Sequence, residues 1–325
     1  MTGRGLHTLV MAKKENLKRY REDLAGKRER FASMPPMVQL ECTTRCNLSC
    51  PVCARSHYDR SRNPEGDMDR RVFDRVLPLL ETAQDVVLGG YGEPLLGSLF
   101  DHALDQSKRH LCRTAVITNG TLLDEARCER LVDRELDQLT VSIDASSDKK
   151  MKMLRGIPLG PVVDGLMGLN EIKHRMRKVV PEIHINFTAN AKNIGDLSAV
   201  VEIAETINVR RINVNLQKIY SEKQREDTLL LHRDQAEAAF GAAQDAARGN
   251  GIELALPTLT QTDKVCRQPL EMLFVRWNGD VRGCCSAVFE NDDYNFPLGS
   301  ILESDPADLW NGPRMSGFRR AVFQG

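Results

Sequence analysis

Between residues 37 and 215 the chain alternates short apolar runs with longer helical ones. The apolar runs, at 37–41, 85–88, 114–118, 138–143, 182–188 and 211–215, are rich in Val, Ile and Leu and read as strands. The segments between them, at 69–80, 99–109, 124–132, 161–176 and 195–207, read as helices. Strands separated by a helix cannot close as hairpins. They need long crossovers, so the pattern predicts a parallel α/β sheet. An Ala-rich amphipathic helix near 232–248 and a strand at 252–256 extend the series.

The flanks differ in character. Residues 12–32 form a mixed-charge stretch, read as a solvated helix with acid–base pairs on its face rather than as a nucleic-acid or membrane element. Pro35-Pro36 break the chain. After Pro257, residues 272–277 and 281–285 read as a β-hairpin turning at Asn278-Gly279. The expected division is therefore a charged helical extension at 1–35, the α/β domain at 36–257 and a small C-terminal domain at 258–325.

Charge and hydropathy narrow the function classes. Forty-five basic residues balance forty-five acidic ones, which gives no electrostatic reason to expect nucleic acid or an anionic membrane. No apolar run approaches bilayer length, and the N-terminus lacks a signal-peptide layout, so a cytoplasmic location is expected. Nine cysteines in such a chain point to metal or redox chemistry rather than a disulfide framework. Cys42, Cys112 and Cys128 lack ligand-like spacing and read as small buried hydrophobes.

Three others are spaced as ligands. Cys46, Cys50 and Cys53 form a C-x3-C-x2-C loop directly after the first strand. Three thiolates on one short loop hold three irons of a cubane cluster and leave the fourth open, whereas an electron-carrying 4Fe–4S centre normally has four cysteines. The competing reading is a zinc knuckle. Zinc wants four ligands in paired sets; no second pair lies nearby, and His57 is the only close imidazole.

The loop and its Thr43-Thr44-Arg45 lead-in resemble the radical S-adenosylmethionine (SAM) superfamily, and the resemblance runs over roughly residues 36–325. It implies a partial (β/α)6 TIM-like barrel, a 4Fe–4S cluster on Cys46, Cys50 and Cys53, and SAM on the open iron. Functional groups of a parallel α/β barrel collect at the C-terminal strand ends, and the motifs fall there in order. Gly89-Gly90-Tyr91-Gly92-Glu93-Pro94 follows the second strand; its family counterpart lies beside the amino group of SAM, so Gly90, Tyr91, Gly92 and Glu93 are candidate cofactor contacts. The alternative is a plain βα turn.

Asn119, in Thr-Asn-Gly after the third strand, matches a family turn that shapes the site. Ser142 and Asp144 alternate with apolar residues at the end of the fourth strand, so they share one face; either they bond SAM, or Asp144 caps the next helix or turn. Arg155, in Leu-Arg-Gly, stands where many family members place an arginine near the SAM carboxylate, or it is a surface residue. Asn186, Thr188 and Asn190, then Asn213, Asn215 and Gln217, form amide-rich rows on the last two strands. Unpaired buried amides cost about 1–3 kcal/mol each. If the rows face inward, they are candidates for adenine and substrate contacts, Asn186 and Asn215 foremost.

Cys266-x12-Gly279-x4-Cys284 matches the element that begins SPASM and Twitch auxiliary-cluster domains, and Asp308-Leu309-Trp310-Asn311 fits the same class. Cys266 and Cys284, with Cys285 as a neighbour able to substitute, are the expected ligands of an auxiliary Fe–S cluster; a buried hairpin cysteine pair is the alternative. No cysteine follows Cys285, so the sequence is read as either trimmed or carrying an incomplete auxiliary site.

The implied activity is reductive cleavage of SAM to a 5′-deoxyadenosyl radical that takes a hydrogen atom from a substrate, with a flavodoxin- or ferredoxin-type reductant. The amide-rich lining leads to the expectation of a polar small molecule (a sugar, aminocyclitol or nucleoside) undergoing dehydrogenation or epimerisation. The alternatives are a maturase modifying a side chain of a precursor peptide and a non-catalytic Fe–S electron carrier.

Overall fold

The computed structural model describes residues 3–58, 60–61, 63–260, 266–285 and 296–324. The strands are β1 (Met37–Leu40), β2 (Asp85–Leu88), β3 (Arg113–Thr118), β4 (Gln138–Ser142), β5 (Glu182–Ala189), β6 (Arg211–Leu216), β7 (Glu253–Ala255), β8 (Met272–Val275), β9 (Asp280–Arg282) and β10 (Pro297–Ser300). The helices are α1 (Gly3–Ala25), α2 (Arg70–Leu80), α3 (Phe100–Arg109), α4 (Glu125–Asp133), α5 (Asp148–Arg155), α6 (Gly160–Arg175), α7 (Leu197–Thr206), α8 (Arg233–Gly249), α9 (Gln268–Glu271), α10 (Pro306–Trp310) and α11 (Pro313–Gln324). This is the α/β class the alternation predicts, a parallel sheet core with antiparallel strands and helices at the C-terminus.

The chain forms two compact units, one of residues 1–46, 58–115 and 264–325, the other of residues 47–57 and 116–263. In the first, β1 pairs in parallel with β2 on one side and with β8 on the other. Strands β8 and β9 then form the expected antiparallel hairpin, turning at Gly279 with φ +94°, and β9 pairs antiparallel with β10. The sequence shows the hairpin but not that β8 also extends the parallel sheet beside the first strand. That pairing joins residues far apart in the chain and leaves no local signature.

Helix α1 begins earlier and ends sooner than the 12–32 stretch suggests. Lys27 adopts φ +48° just past the helix end. Its outer face carries the expected charge pairs, Arg19–Glu15 and Lys18–Glu22. Its inner face, Leu9, Lys13, Asn16, Tyr20 and Asp23, is buried. The face looks solvated in sequence because three of the five, Lys13, Asn16 and Asp23, are strongly polar. They are buried as hydrogen-bonding groups: Lys13 donates to Leu80 O, Asn16 exchanges bonds with the Met34 backbone, and Asp23 accepts from Ser33.

In the second unit β4, β5, β6 and β7 run parallel in that order. Their two faces are chemically opposite. Leu139, Val141, Ile183, Ile185, Phe187, Ile212 and Val214 are buried on one face, and the crossover helices α6 and α7 bury the apolar stripes that complement it. The other face carries Thr140, Ser142, His184, Asn186, Thr188, Arg211, Asn213 and Asn215, aligned in rows by the parallel register. The amide row therefore lies on the face opposite the apolar one.

Helix α5 is absent from the sequence reading. Ser147 caps its start, and Gly156, at φ +78°, ends it in the left-handed region that a residue with a side chain rarely adopts. Arg155 is its last residue.

Candidate functional site

Residues 47–57 follow Cys46 and carry Cys50 and Cys53. The loop largely satisfies its own backbone. Cys53 N donates to Cys50 O at 3.0 Å, Ser56 Oγ to the same carbonyl at 2.9 Å, Ser56 N to Cys53 O and the Arg55 guanidinium to Leu48 O. Cys50 is buried and its thiol donates to Arg155 O at 3.5 Å; Cys53 is half-buried. Burial disfavours the Arg155 charge, but Asp144 and then the Cys50 and Cys53 sulfurs outweigh it and raise the guanidinium pKa. Burial, then Cys53, pushes the Tyr220 phenol up to about 12.

The end of β4 is built around Asp144, which is almost fully buried. Its Oδ2 accepts from Arg155 Nε at 2.6 Å, its Oδ1 from Thr188 N at 2.6 Å, and its backbone carbonyl from Asn193 Nδ2 at 2.9 Å. Both open readings of the sequence meet here: Asp144 and Arg155 hold each other, and neither is a surface residue. Ser142 stands in register with Asn186, and Asn186 with Asn213, whose amide donates to Asn186 Oδ1 at 3.2 Å. Asn215 is exposed, in register with Thr188. Asn119 turns the chain after β3 by accepting from Thr121 N and Oγ1, and its own amide donates to Asn47 Oδ1 at 2.9 Å.

Gln217, just beyond β6, is buried, and its Oε1 has no hydrogen-bond partner among the described residues. An orphaned acceptor at the C-terminal end of a parallel strand suits a ligand's N–H group.

In the other unit, the Gly-Tyr-Gly-Glu turn after β2 packs on the segment that leads from β1 to Cys46. A Cβ on Gly92 would lie 2.3 Å from Thr43 O and 2.6 Å from Arg45 O; one on Gly90 would lie 2.6 Å from Glu41 Cγ. Glycine is required here by contact with the protein itself. Glu93 is buried, donates its N–H to Arg45 O at 2.8 Å, and caps a short 3-10 turn by accepting from Leu95 N at 3.2 Å. Tyr91 N donates to Glu41 Oε1 at 3.0 Å, and Tyr91 OH to Cys285 O at 3.0 Å.

Glu41 and Arg276 escaped the sequence reading. Their ion pair is buried, with Arg276 Nε 3.1 Å from Glu41 Oε2. Burial pushes the Glu41 carboxyl up; Arg276 and the backbone N–H groups of Tyr91 and Trp277 pull it back. The available signal was slight: a lone acid at the end of an apolar strand, and a lone base at the end of another.

Cys266 is exposed, Cys284 and Cys285 are half-buried, and the Cys285 thiol donates to Gln268 Oε1 at 3.0 Å. Cys42, Cys112 and Cys128 are buried as expected, and burial first of all lifts their pKa values, Cys42 to about 12 and Cys128 to about 11. Among the described residues no group of three or more His, Cys, Asp or Glu is arranged to hold a metal ion. The fit to a metal cofactor therefore rests on the donor chemistry: soft thiols on a turn, with the Arg155 cation beside two of them, suit an iron–sulfur cluster.

Comparison with known proteins agrees with this chemistry. The radical SAM superfamily model matches residues 40–175, and the SPASM model, described as an iron–sulfur cluster-binding domain, matches residues 266–324. A tungsten-containing aldehyde ferredoxin oxidoreductase cofactor-modifying protein of Pyrococcus furiosus is 24% identical over 87% of this chain and 82% of its own length. A PqqA peptide cyclase of Granulibacter bethesdensis is 24% identical over 86% of this chain and 74% of its own. The crystal structure of Streptococcus suis SuiB bound to the precursor peptide SuiA superposes with a TM-score of 0.69 at 17% identity, covering 94% of this chain and 71% of that one. Native anSMEcpe with bound AdoMet gives 0.69 at 17% identity, covering 87% and 82%. Two matched modules in the expected order imply a 4Fe–4S cluster, SAM and auxiliary iron–sulfur chemistry, and the chain belongs to the radical SAM superfamily, with a SPASM domain at its C-terminus.

Proposed function

We propose that this radical SAM enzyme is a maturase that oxidises or cross-links a side chain of a peptide or protein substrate. The observation that carries the reading is the similarity, over 86% of this chain, to a protein named as a PqqA peptide cyclase. The polar small molecule expected from the amide rows has no comparable support. Those rows suit a peptide equally well, since backbone amides need the same donors and acceptors. The similarity to a cofactor-modifying protein over 87% of the chain supports a second reading, in which the substrate is part of another enzyme's cofactor.

In this reading Cys46, Cys50 and Cys53 hold the 4Fe–4S cluster, and Cys266 and Cys284, with Cys285 beside them, serve the auxiliary cluster. When bound, the cluster and SAM supply one-electron cleavage of the sulfonium to a 5′-deoxyadenosyl radical. The chain supplies position and exclusion. The Asp144–Arg155 pair fixes the end of β4. Ser142, Asn186, Asn215 and the orphaned Gln217 acceptor offer hydrogen bonds to SAM or substrate. Gly90, Tyr91, Gly92 and Glu93 shape the wall beside the β1 end. The reductant is of the flavodoxin or ferredoxin type.

The test is anaerobic reconstitution with iron and sulfide, then incubation with SAM, dithionite and synthetic peptides encoded beside the gene. Formation of 5′-deoxyadenosine with a peptide mass decrease of about 2 Da, the loss of two hydrogens, supports the reading. Cleavage of SAM with every such peptide unchanged refutes the peptide substrate. Absence of SAM cleavage returns the chain to the electron-carrier class.

A further inference from the structure

One carbonyl of the cysteine loop takes a hydrogen bond from outside the loop. Pro51 O, between Cys50 and Cys53, accepts from Gln224 Nε2 at 2.9 Å and lies 2.7 Å from His57 Nε2. Gln224 comes from the segment after β6, at a separation of 173 positions along the chain. It is buried. Its amide orientation follows from its partners: Tyr220 N–H donates to Oε1 at 2.7 Å, so the NH2 end must face Pro51.

The third side of the triangle, Gln224 Nε2 to His57 Nε2, measures 3.2 Å. With the imidazole proton on Nε2, both donors converge on one oxygen and fill both of its lone pairs. The 3.2 Å separation is then the consequence of two donors sharing an acceptor. The His57 ring completes the knot by stacking on Tyr220, with centroids 5.9 Å apart and planes at 22°. Tyr220 is thus bound to both donors, through its N–H to Gln224 and through its ring to His57.

We infer that Gln224 is a positioning residue for the cluster: it latches the peptide unit between Cys50 and Cys53, and so fixes the directions in which those two thiolates point. A carbonyl in that place sets the orientation of the backbone on both sides, because a peptide unit turns as one plane. The loop's other carbonyls at Leu48, Cys50 and Cys53 are bonded by residues within the loop, so they hold its shape but do not anchor it. Pro51 O is anchored from outside by Gln224. This inference is independent of which substrate the enzyme takes.

The test replaces Gln224 by Met, which keeps the length and removes both polar ends. Wild-type and Gln224→Met proteins are reconstituted anaerobically, and loss of cluster iron to a chelator is followed by absorbance. The expected result is about fivefold faster iron loss from the variant, the ratio that about 1 kcal/mol for one net hydrogen bond gives. The change that SAM induces in the electron paramagnetic resonance spectrum of the reduced cluster is expected to be weakened, with only a small fall in the thermal midpoint before reconstitution. Tyr220→Leu, which removes the stack but keeps the backbone N–H, is expected to fall between the two proteins. Equal iron loss and equal spectra in Gln224→Met and wild type would overturn the inference. So would a fall in the thermal midpoint before reconstitution that accounts for the iron loss, because Gln224 would then be a packing residue.

Discussion

Arg155 Nε lies 2.6 Å from Asp144 Oδ2, and the carbonyl of the same arginine accepts from the Cys50 thiol at 3.5 Å. One residue at the end of α5 thus touches both the end of β4 and the cysteine loop. Asp144 is buried and Arg155 half-buried, so removing the acid leaves the guanidinium without its partner. Asp144→Ala is expected to destabilise the protein by about 3–5 kcal/mol, whereas replacing both partners by apolar residues of similar volume costs less. Urea unfolding of the single and double variants measures the difference. Equal losses in the two would mean that the partners do not depend on each other.

Cys50→Ala is expected to abolish SAM cleavage even without substrate, with 5′-deoxyadenosine as the readout. Cys266→Ala should leave that cleavage in place and lower the iron content. Full activity in the first variant, or unchanged iron in the second, defeats the respective ligand assignment.

Gly92→Ala places a methyl group against two backbone carbonyls, 2.3 Å from one of them. Backbone cannot swing away as a side chain can, so the turn or the β1 end must shift. The expected loss is about 1–3 kcal/mol, read as a lowered denaturation midpoint. Gly168→Ala on α6 meets nothing within 4 Å and serves as the control, with unchanged or slightly raised stability.

Asp196 carries a pH prediction. Burial works against its charge, but Lys150 and the Ser146 backbone and hydroxyl outweigh it, and the carboxyl sits below its ordinary value of 3.8. A carboxyl with a depressed folded pKa stabilises the fold above its unfolded pKa and loses that contribution as pH falls through the folded value. Wild type should therefore lead Asp196→Asn in stability at neutral pH, and the lead should shrink as pH falls below about 3.8. Chemical denaturation at neutral and acid pH checks the sign. A lead that grows in acid contradicts it.

Tyr91→Phe removes the hydroxyl that reaches Cys285 O. The expected cost is about 1 kcal/mol in stability, with a larger effect on retention of auxiliary iron than on SAM cleavage. A fall in SAM cleavage with auxiliary iron intact would place the tyrosine's importance at the first cluster.

The sequence by itself determined the parallel α/β class, the cysteine loop after the first strand and the hairpin at Asn278-Gly279. Each is written in local terms, as a period of apolar residues, a spacing of three thiols or a turn dipeptide. The alternation of Ser142 and Asp144 with apolar residues is local in the same way. Only the tertiary structure decided that β8 lies beside β1, that Glu41 meets Arg276, that Asp144 holds Arg155, and that Gln224 reaches Pro51. Apart from Asp144 and Arg155, eleven positions apart, those partners are remote in sequence, and a buried polar residue looks the same in sequence as an exposed one. What separates them is whether another part of the chain arrives to satisfy its hydrogen bonds, and that is fixed only when the chain has folded.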